Sequence, residues 1–345
     1  RLNRRSYLGL VGAASAGTLA MGRAGAGPSE DEYGRVVNIA DAGADSSGEE
    51  PIDDVFAEHA QDDTLLKFPP GEYRANQLTI YQLSHFAMVG DDATLVPGDD
   101  YTADPWLGGA EVDDVRIENF TIDNTAEGVA PEISLSTVST LAIRNVVKRG
   151  FHSGTGIAIG IRTLADDSEI LLENVQAPDG GKAVGIYGDG DGPMTFRNCQ
   201  VQGFTNNGLY ASHVSAPVTV DGGLYKDNNI AQVRLGSADS SVTNARLEVT
   251  RPVKGPDSDV VNMRGIRIAD GPGPVTIDNC DFWLRGSQGT GGIVTAYSGG
   301  SLDVVDSRIY VDPEYTTPSS DGARTSFGIF VDGENNAPEG SRTFR

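Results

Sequence analysis

The chain has 345 residues, of which 44 are Gly and 17 Pro and only 7% are aromatic; so many turns argue against a helical bundle, and the core must be built from Val, Ile, Leu and Ala. Asp and Glu total 49 against 26 Lys and Arg, a formal net charge of -23. That balance leaves no basic footprint for nucleic acid and opposes binding to an anionic membrane surface.

Taken in chain order, Asn3-Arg4-Arg5-Ser6-Tyr7-Leu8 resembles a twin-arginine export motif, and the weakly apolar stretch Leu8 to Met21 is too short and too rich in Gly and Ala for a stable membrane span. Residues 1–27 are read as a signal peptide and the mature protein is expected to be secreted or held at the cell surface; a retained N-terminal anchor is the alternative. Residues 28–35 read as a linker. Only five of the cations are Lys (67, 148, 182, 226 and 254). An acidic, Lys-poor surface resembles that of proteins from salt-loving archaea, where strong salt screens self-repulsion.

From Val36 the pattern changes to short apolar runs: Val36-Val-Asn-Ile39, Leu65-Leu-Lys-Phe68 followed by Pro69-Pro-Gly-Glu-Tyr73, Phe86-Ala-Met-Val-Gly90 and Thr94-Leu-Val96. Between the first two, Ile52 to Ala60 carries apolar residues at helical spacing and predicts a short helix.

A repeat follows. Val115-Arg-Ile-Glu-Asn119, Leu141-Ala-Ile-Arg-Asn145, Ile170-Leu-Leu-Glu-Asn174, Met194-Thr-Phe-Arg-Asn198, Val218-Thr-Val-Asp-Gly222, Ser240-Ser-Val-Thr-Asn244, Val275-Thr-Ile-Asp-Asn279 and Leu302-Asp-Val-Val-Asp306 share an alternating strand closed by a turn residue. The closing positions are 22 to 35 residues apart, the length of one coil of a β-solenoid and short for a propeller blade. A second, mostly Gly-led strand follows each copy, as in Gly185-Ile-Tyr-Gly and Gly208-Leu-Tyr-Ala. With coils stacked about 4.8 Å apart, Asn119, Asn145, Asn174, Asn198, Asn244 and Asn279 are expected to form an amide ladder. Cys199 and Cys280 each follow a ladder Asn, three coils apart, and at roughly 14 Å cannot be bridged.

These motifs, the Gly-Ala loop at Ala42-Gly-Ala44, the short helix and Pro69-Pro-Gly-Glu-Tyr73 above all, resemble the N-terminal part of the pectate-lyase-like superfamily. The resemblance covers residues 36–96 by motif, and the repeat carries it to 334. It implies a single all-β domain, a right-handed parallel β-helix (solenoid) over 36–334 with 36–96 forming an N-terminal capping helix and first coils and 97–334 the repeated coils. Residues 335–345 read as a tail or cap. The superfamily holds lyases, hydrolases, epimerases, tailspikes and inert surface proteins, so it leaves activity open.

The motifs of two well-known activities are incomplete: Arg267-Ile268 is followed by Ala269 where a hydrolase of the superfamily would have Lys and His152 lies in Gly-Phe-His-Ser-Gly instead of between two Gly, while Arg251-Pro252-Val253-Lys254 is not the Arg-x-Pro-x-x-Arg of a calcium-dependent pectate lyase. What remains is a column. The outward residue of each Gly-led strand reads Ala158, Tyr187, Tyr210, Arg234, Arg267, Val294 and Phe330. Tyr187 and Tyr210 offer faces for sugar rings, and Arg234 and Arg267 offer forks for carboxylates or sulfates. Asp189, Asp227, Asp270 and His213 fall at strand ends or turns beside them and are the candidate acids and bases of a glycoside hydrolase or polysaccharide lyase; His213 alone reads more naturally as a turn residue. Gly188-Asp-Gly-Asp-Gly192 has carboxylates that could ligate calcium, but such a tract is more often a flexible turn than a site, and no cofactor is expected. The expectation is an exported protein that binds, and as an enzyme would cleave, an acidic polysaccharide. The alternative is a non-catalytic structural or adhesive surface module. Oligomeric state is open.

Overall fold

The computed structural model describes residues 27–271, 273–285, 289, 291–296, 301–312, 317–318, 324–325, 328–331 and 342–344. The export motif and most of the 335–345 tail lie outside the described residues.

The repeat closes into a right-handed parallel β-helix with three strands to a coil. One coil shows the plan. Met194–Arg197 lies on a first face, Gln200–Gln202 on a second and Leu209–Val214 on a third. The next coil supplies Val218–Asp221, Leu224–Lys226 and Val233–Leu235, each parallel to and in register with its predecessor. Alternation decides the side: Met194, Phe196, Val218 and Val220 are buried, while Thr195 and Arg197 point out. The inward residues of all three faces join in one core that runs from Ile39 to Val304.

The closing residues bend the chain from the first face to the second. Asn119, Asn145, Asn174, Asn198, Asn244 and Asn279 have φ of 64°, 54°, 54°, 51°, 58° and 52°, a left-handed conformation that Asn, Asp and Gly adopt at least cost. The ladder forms in two lengths. Asn174 Nδ2 donates to Asn145 Oδ1 (2.9 Å) and Asn145 Nδ2 to Asn119 Oδ1 (2.8 Å); beyond the gap, Asn279 Nδ2 donates to Asn244 Oδ1 (2.8 Å) and Asn244 Nδ2 to Asp221 Oδ1 (2.8 Å). The gap between the two runs takes in Asn198 and Gly222, the second of which has no amide to offer. A Cβ there would meet Asn198 Oδ1 at 2.4 Å, so the Asn198 side chain fills the space above the glycine. Cys199 and Cys280 are free, buried thiols in one inward column, separated by Gly223 and Ala245.

At the N-terminal end the predicted helix spans Asp53–His59. Ile52 and Phe56 cover the end of the core, and the Asp53 carboxylate accepts backbone N–H bonds from Asn76 and Gln77, which would otherwise be left open at the first rung. Residues 28–35 are docked on the body of the helix: Tyr33 stacks on His85 with centroids 4.6 Å apart, Glu30 pairs with Lys67 (2.6 Å) and Glu32 with Arg116 (2.9 Å). Among the described residues no helix is long and apolar enough to cross a membrane.

Candidate functional site

The register of the third face places Gly108, Ser134, Gly160, Tyr187, Tyr210, Arg234, Arg267 and Val294 in one column. The four residues chosen from sequence are therefore vertical neighbours. Ala158 is not among them. Ile159 pairs with Ile186, so Gly160 lies beside Tyr187 and Ala158 is buried; the Gly156 copy is offset by two residues, which a Gly-led alignment cannot reveal.

The Tyr187 and Tyr210 rings meet edge to face, centroids 5.3 Å apart. His213 joins them: its Nδ1 lies 3.0 Å from the Tyr187 hydroxyl and its Nε2 3.4 Å from that of Tyr210. The sequence reading of His213 as a turn residue is corrected here, because it lies within the strand Leu209–Val214. Its direction comes from a bulge. Between the pairs Tyr187↔Tyr210 and Asp189↔His213 the later strand carries an extra residue, so His213 turns outward beside Asp189 where plain alternation would turn it in.

Arg234 lies over the Tyr210 ring, 4.3 Å from its centroid, and binds the Asp270 carboxylate; the Ser212 hydroxyl donates to the same oxygen at 2.8 Å. Burial opposes ionisation of Asp270, but the Ser212 hydroxyl and the Arg234 guanidinium outweigh it and hold the carboxyl below its usual range. Arg267 follows Arg234 in the column. Asp189 sits one coil before His213, 3.8 Å from Arg162 Nε. Burial, reinforced by the Asp189 charge, raises the Tyr187 phenol. Asp189, His213 and Asp270 thus gather around the tyrosine pair.

Asp227 does not. It closes the second-face strand Leu224–Lys226 with φ 53°, is 3% exposed, and accepts from the Thr250 N–H (2.6 Å) and hydroxyl (2.9 Å) and the Arg251 N–H (3.3 Å). It is a corner clamp, fully used by the next coil. Within the Gly188–Gly192 tract Asp189 faces Arg162 and Asp191 accepts from Ser215 (3.2 Å), and no group of three His, Cys, Asp or Glu capable of holding a metal occurs among the described residues. His152 is buried against Lys148 Nζ at 3.3 Å, remote from the strip; His59 and His85 hold Arg35 and Asp63 near the capped end.

Toward that end the strip opens into a cleft of about 430 Å³ bounded by Tyr81 and Tyr187, with Gly109, Ser134 and Gly160 as its floor and the Arg162–Asp189 pair on one rim. On the other side lies Glu132, whose carboxyl oxygens are 3.6 and 3.9 Å from where Cβ atoms on Gly156 and Gly160 would sit. Burial, with the Asp104 charge added, pushes the Glu132 carboxyl up to about 7. Tyr81, Arg162 and Glu132 were not singled out in the sequence. Tyr81 and Glu132 precede strands without the Gly-led pattern, and Arg162 lies two residues beyond the column position. A larger cleft of about 650 Å³ on the first face lies among Arg116, Arg144 and Arg197. Each of these cations is held by Glu32, Glu118 or Glu173 at 2.8 to 3.4 Å, whereas Arg162 lies 3.8 Å from Asp189 with 60% of its side chain exposed, so the smaller cleft, which also adjoins Tyr187, is the better candidate.

No protein-family model matches the chain, and no curated protein matches it in sequence. Solved structures do. Tailspike protein 2 of an Escherichia coli O157:H7 bacteriophage is 12% identical over 90% of this chain and 42% of its own, with a TM-score of 0.62. The likeness is one of fold. The enzymatically active domain of bacteriophage CBA120 tailspike protein 2 gives 13% identity, a TM-score of 0.61 and coverage of 89% and 47%. The chain thus spans less than half the length of these tailspikes. The A-module of an Azotobacter vinelandii mannuronan C-5 epimerase is 15% identical over 88% of this chain and 99% of its own, with a TM-score of 0.49.

Proposed function

We propose that the third face binds an acidic polysaccharide and that His213 abstracts a proton from it. The observation that carries this reading is the in-register column Tyr187–Tyr210–Arg234–Arg267, opening at one end into the cleft beside Tyr81. Sugar rings stack on Tyr81, Tyr187 and Tyr210 while Arg162 and Arg267 meet carboxylates along the chain. The fold it shares with a tailspike's enzymatically active domain supports an elongated surface of this kind without assigning a reaction.

Among the chemistries open to the strip, β-elimination suits it best. A neutral His213 removes the proton on the ring carbon that bears the carboxylate, the electron pair forms a double bond to the adjacent carbon, and the glycosidic C–O bond breaks; a phenol, Tyr187 or Tyr210, protonates the leaving oxygen. Hydrolysis at the tyrosine pair would need a carboxyl there free to protonate the leaving group; Asp270 is tied as an anion to Ser212 and Arg234, Asp189 faces Arg162, and the protonated Glu132 lies beside the cleft floor at Gly156 and Gly160. Export through a twin-arginine route would bring the protein to such a polymer.

The test is a set of uronate-rich polysaccharides incubated with the protein at high and low salt. Retention on the polymer together with ultraviolet-absorbing unsaturated ends is the expected result, with His213→Ala keeping retention and losing the new ends. Retention without product would leave an adhesive module and remove the catalytic step. Absence of retention would remove the whole reading.

A further inference from the structure

The second face carries an aromatic pair that the strip does not use. The strands Arg246–Val249, Asp281–Leu284 and Arg308–Val311 stack in parallel register, so Glu248, Trp283 and Tyr310 form one outward column and Arg246, Asp281 and Arg308 another. Phe282 and Leu284 point into the core at 1% and 0% exposure; Trp283 and Tyr310 keep 37% and 48%. Their centroids are 5.5 Å apart with planes 39° off parallel. The only other Trp of the chain, Trp106, is fully buried and donates its indole N–H to the Ala75 carbonyl. Folding does not require an aromatic at this outward position: the same column in earlier coils holds Gln202, Lys226 and Glu248.

The charges around the pair are arranged unevenly. Arg308 is held by Asp281 through two bonds of 2.6 Å, and Arg246 by Glu248. Arg285 has its guanidinium carbon 5.2 Å from the Trp283 centroid, and no carboxylate pairs with it among the described residues. Two exposed rings one coil apart, with a cation alongside that has no counter-charge among the described residues, match a ligand that has C–H faces to stack and an anion to pair. In a chain of net charge -23 such a cation is a local exception.

We propose that Trp283 and Tyr310, with Arg285 beside them, form a second saccharide site, selective for an acidic glycan, on a face different from the His213 strip. Sugar rings lie across the two aromatic faces and Arg285 takes a carboxylate. The site uses none of the residues of the third face, so it stands or falls separately. If both faces work, one polymer or two neighbouring polymers are held at two points, and the second contact raises retention by raising local concentration.

The experiment titrates the full chain with oligogalacturonate, with oligomannuronate and with a neutral maltooligosaccharide, reading Trp fluorescence, in a background where Arg267→Ala weakens the third face. A fluorescence change with at least one uronate and none with the neutral oligomer is expected. Arg285→Ala should weaken that response about tenfold, and Trp283→Ala should abolish it. Melting temperatures should be unchanged and formation of unsaturated ends by the otherwise native chain preserved. No response to either uronate, an equal response to the neutral oligomer, or a response that survives Trp283→Ala with Tyr310→Ala overturns the proposal. So does conversion of an oligomer to a monomer by Trp283→Ala in light scattering, which would assign the platform to a second copy of the chain. Failure of the third-face reading would show differently, as loss of product and His213 dependence with the Trp283 response intact.

Discussion

The Arg234 guanidinium lies over the Tyr210 ring, 4.3 Å from its centroid, while the Asp270 carboxylate of the next coil holds it in place. Only 12% of the Arg234 side chain is exposed. Arg234→Ala therefore removes a stacked cation and takes from Asp270 its guanidinium partner, and should cost roughly 1–3 kcal/mol in urea unfolding. Its effect on glycan retention then comes partly through the displaced Tyr210. Arg267→Ala should weaken retention on uronate-rich polymers about tenfold or more by removing one charge-assisted contact. Equal stability of Arg234→Ala and the parent would refute the clamp.

Glu132 and the bound polymer should be linked through pH. The Glu132 carboxyl, raised from 4.5 to about 7, stays protonated in the folded protein at pH values where it would be ionised in the unfolded chain. The stability this raised value contributes is complete below about pH 4.5 and is lost as pH rises through about 7. Over the same rise an anion appears beside the cleft floor and repels an acidic ligand. Affinity for uronate polymers should fall through that window, and Glu132→Gln should remove that part of the fall. A pH profile unchanged by Glu132→Gln would show that the residue does not face the ligand.

How much of this was legible in the sequence differs by element. The coil was, because parallel stacking repeats the same demand at each closing corner: a residue that tolerates φ near +55° and an apolar pair that faces inward. Asn145 and Asn174 answer that demand in letters anyone can align. The strip was legible from Tyr187 onward for the same reason. What the letters hide are the departures from strict repetition. The bulge that turns His213 outward changes a count by one residue, and a period-two reading has no means to register it. Asp227 carries a left-handed φ as the ladder residues do, yet serves the corner between the second and third faces, where Thr250 and Arg251 use up its carboxylate. The break at Gly222 was visible as a letter, but the way Asn198 fills the space over it was not.

Asn145 is the middle rung of the first ladder, donating to Asn119 and accepting from Asn174. Asn145→Ala loses both amide bonds and also forces a Cβ-bearing residue without a side-chain hydrogen bond to hold φ at 54°. The expected loss is roughly 2–4 kcal/mol in denaturant unfolding. Asn145→Gly keeps the turn and loses only the amides, so it should cost about half as much. If both variants lost the same amount, the backbone would not be contributing.

Both Cys199 and Cys280 have their thiols pushed up by burial, to about 12 and about 11. Each Sγ points at a carbonyl, Cys199 at Leu172 O (3.5 Å) and Cys280 at Val242 O (3.3 Å). Thiolate is the reactive form, so iodoacetamide should leave both unmodified in the native protein at neutral pH and label both after unfolding, by intact mass. Reductant should leave the melting temperature unchanged. A loss of two hydrogens in the native mass would indicate a disulfide and break the register.

Lys148 is the least expected residue of the core. It is 3% exposed, donates to Asn124 Oδ1 at 3.1 Å and faces His152 Nδ1 at 3.3 Å. Burial pushes its ammonium down from 10.5 to about 7, and burial together with the Lys148 charge pushes His152 from 6.5 to about 3. Both groups have folded values below their unfolded ones, so between the two values the unfolded chain binds more protons. The stability attached to Lys148 is present above about pH 10.5 and lost as pH falls to about 7; that attached to His152 is lost between about pH 6.5 and 3. At neutral pH the native protein carries the full Lys148 penalty, on the order of a few kcal/mol. Lys148→Met, similar in length and without a charge, should therefore melt higher than the parent at about pH 7, with the gap closing as pH approaches 10. A constant gap would mean that Lys148 keeps its proton, shared with Asn124, across the whole range.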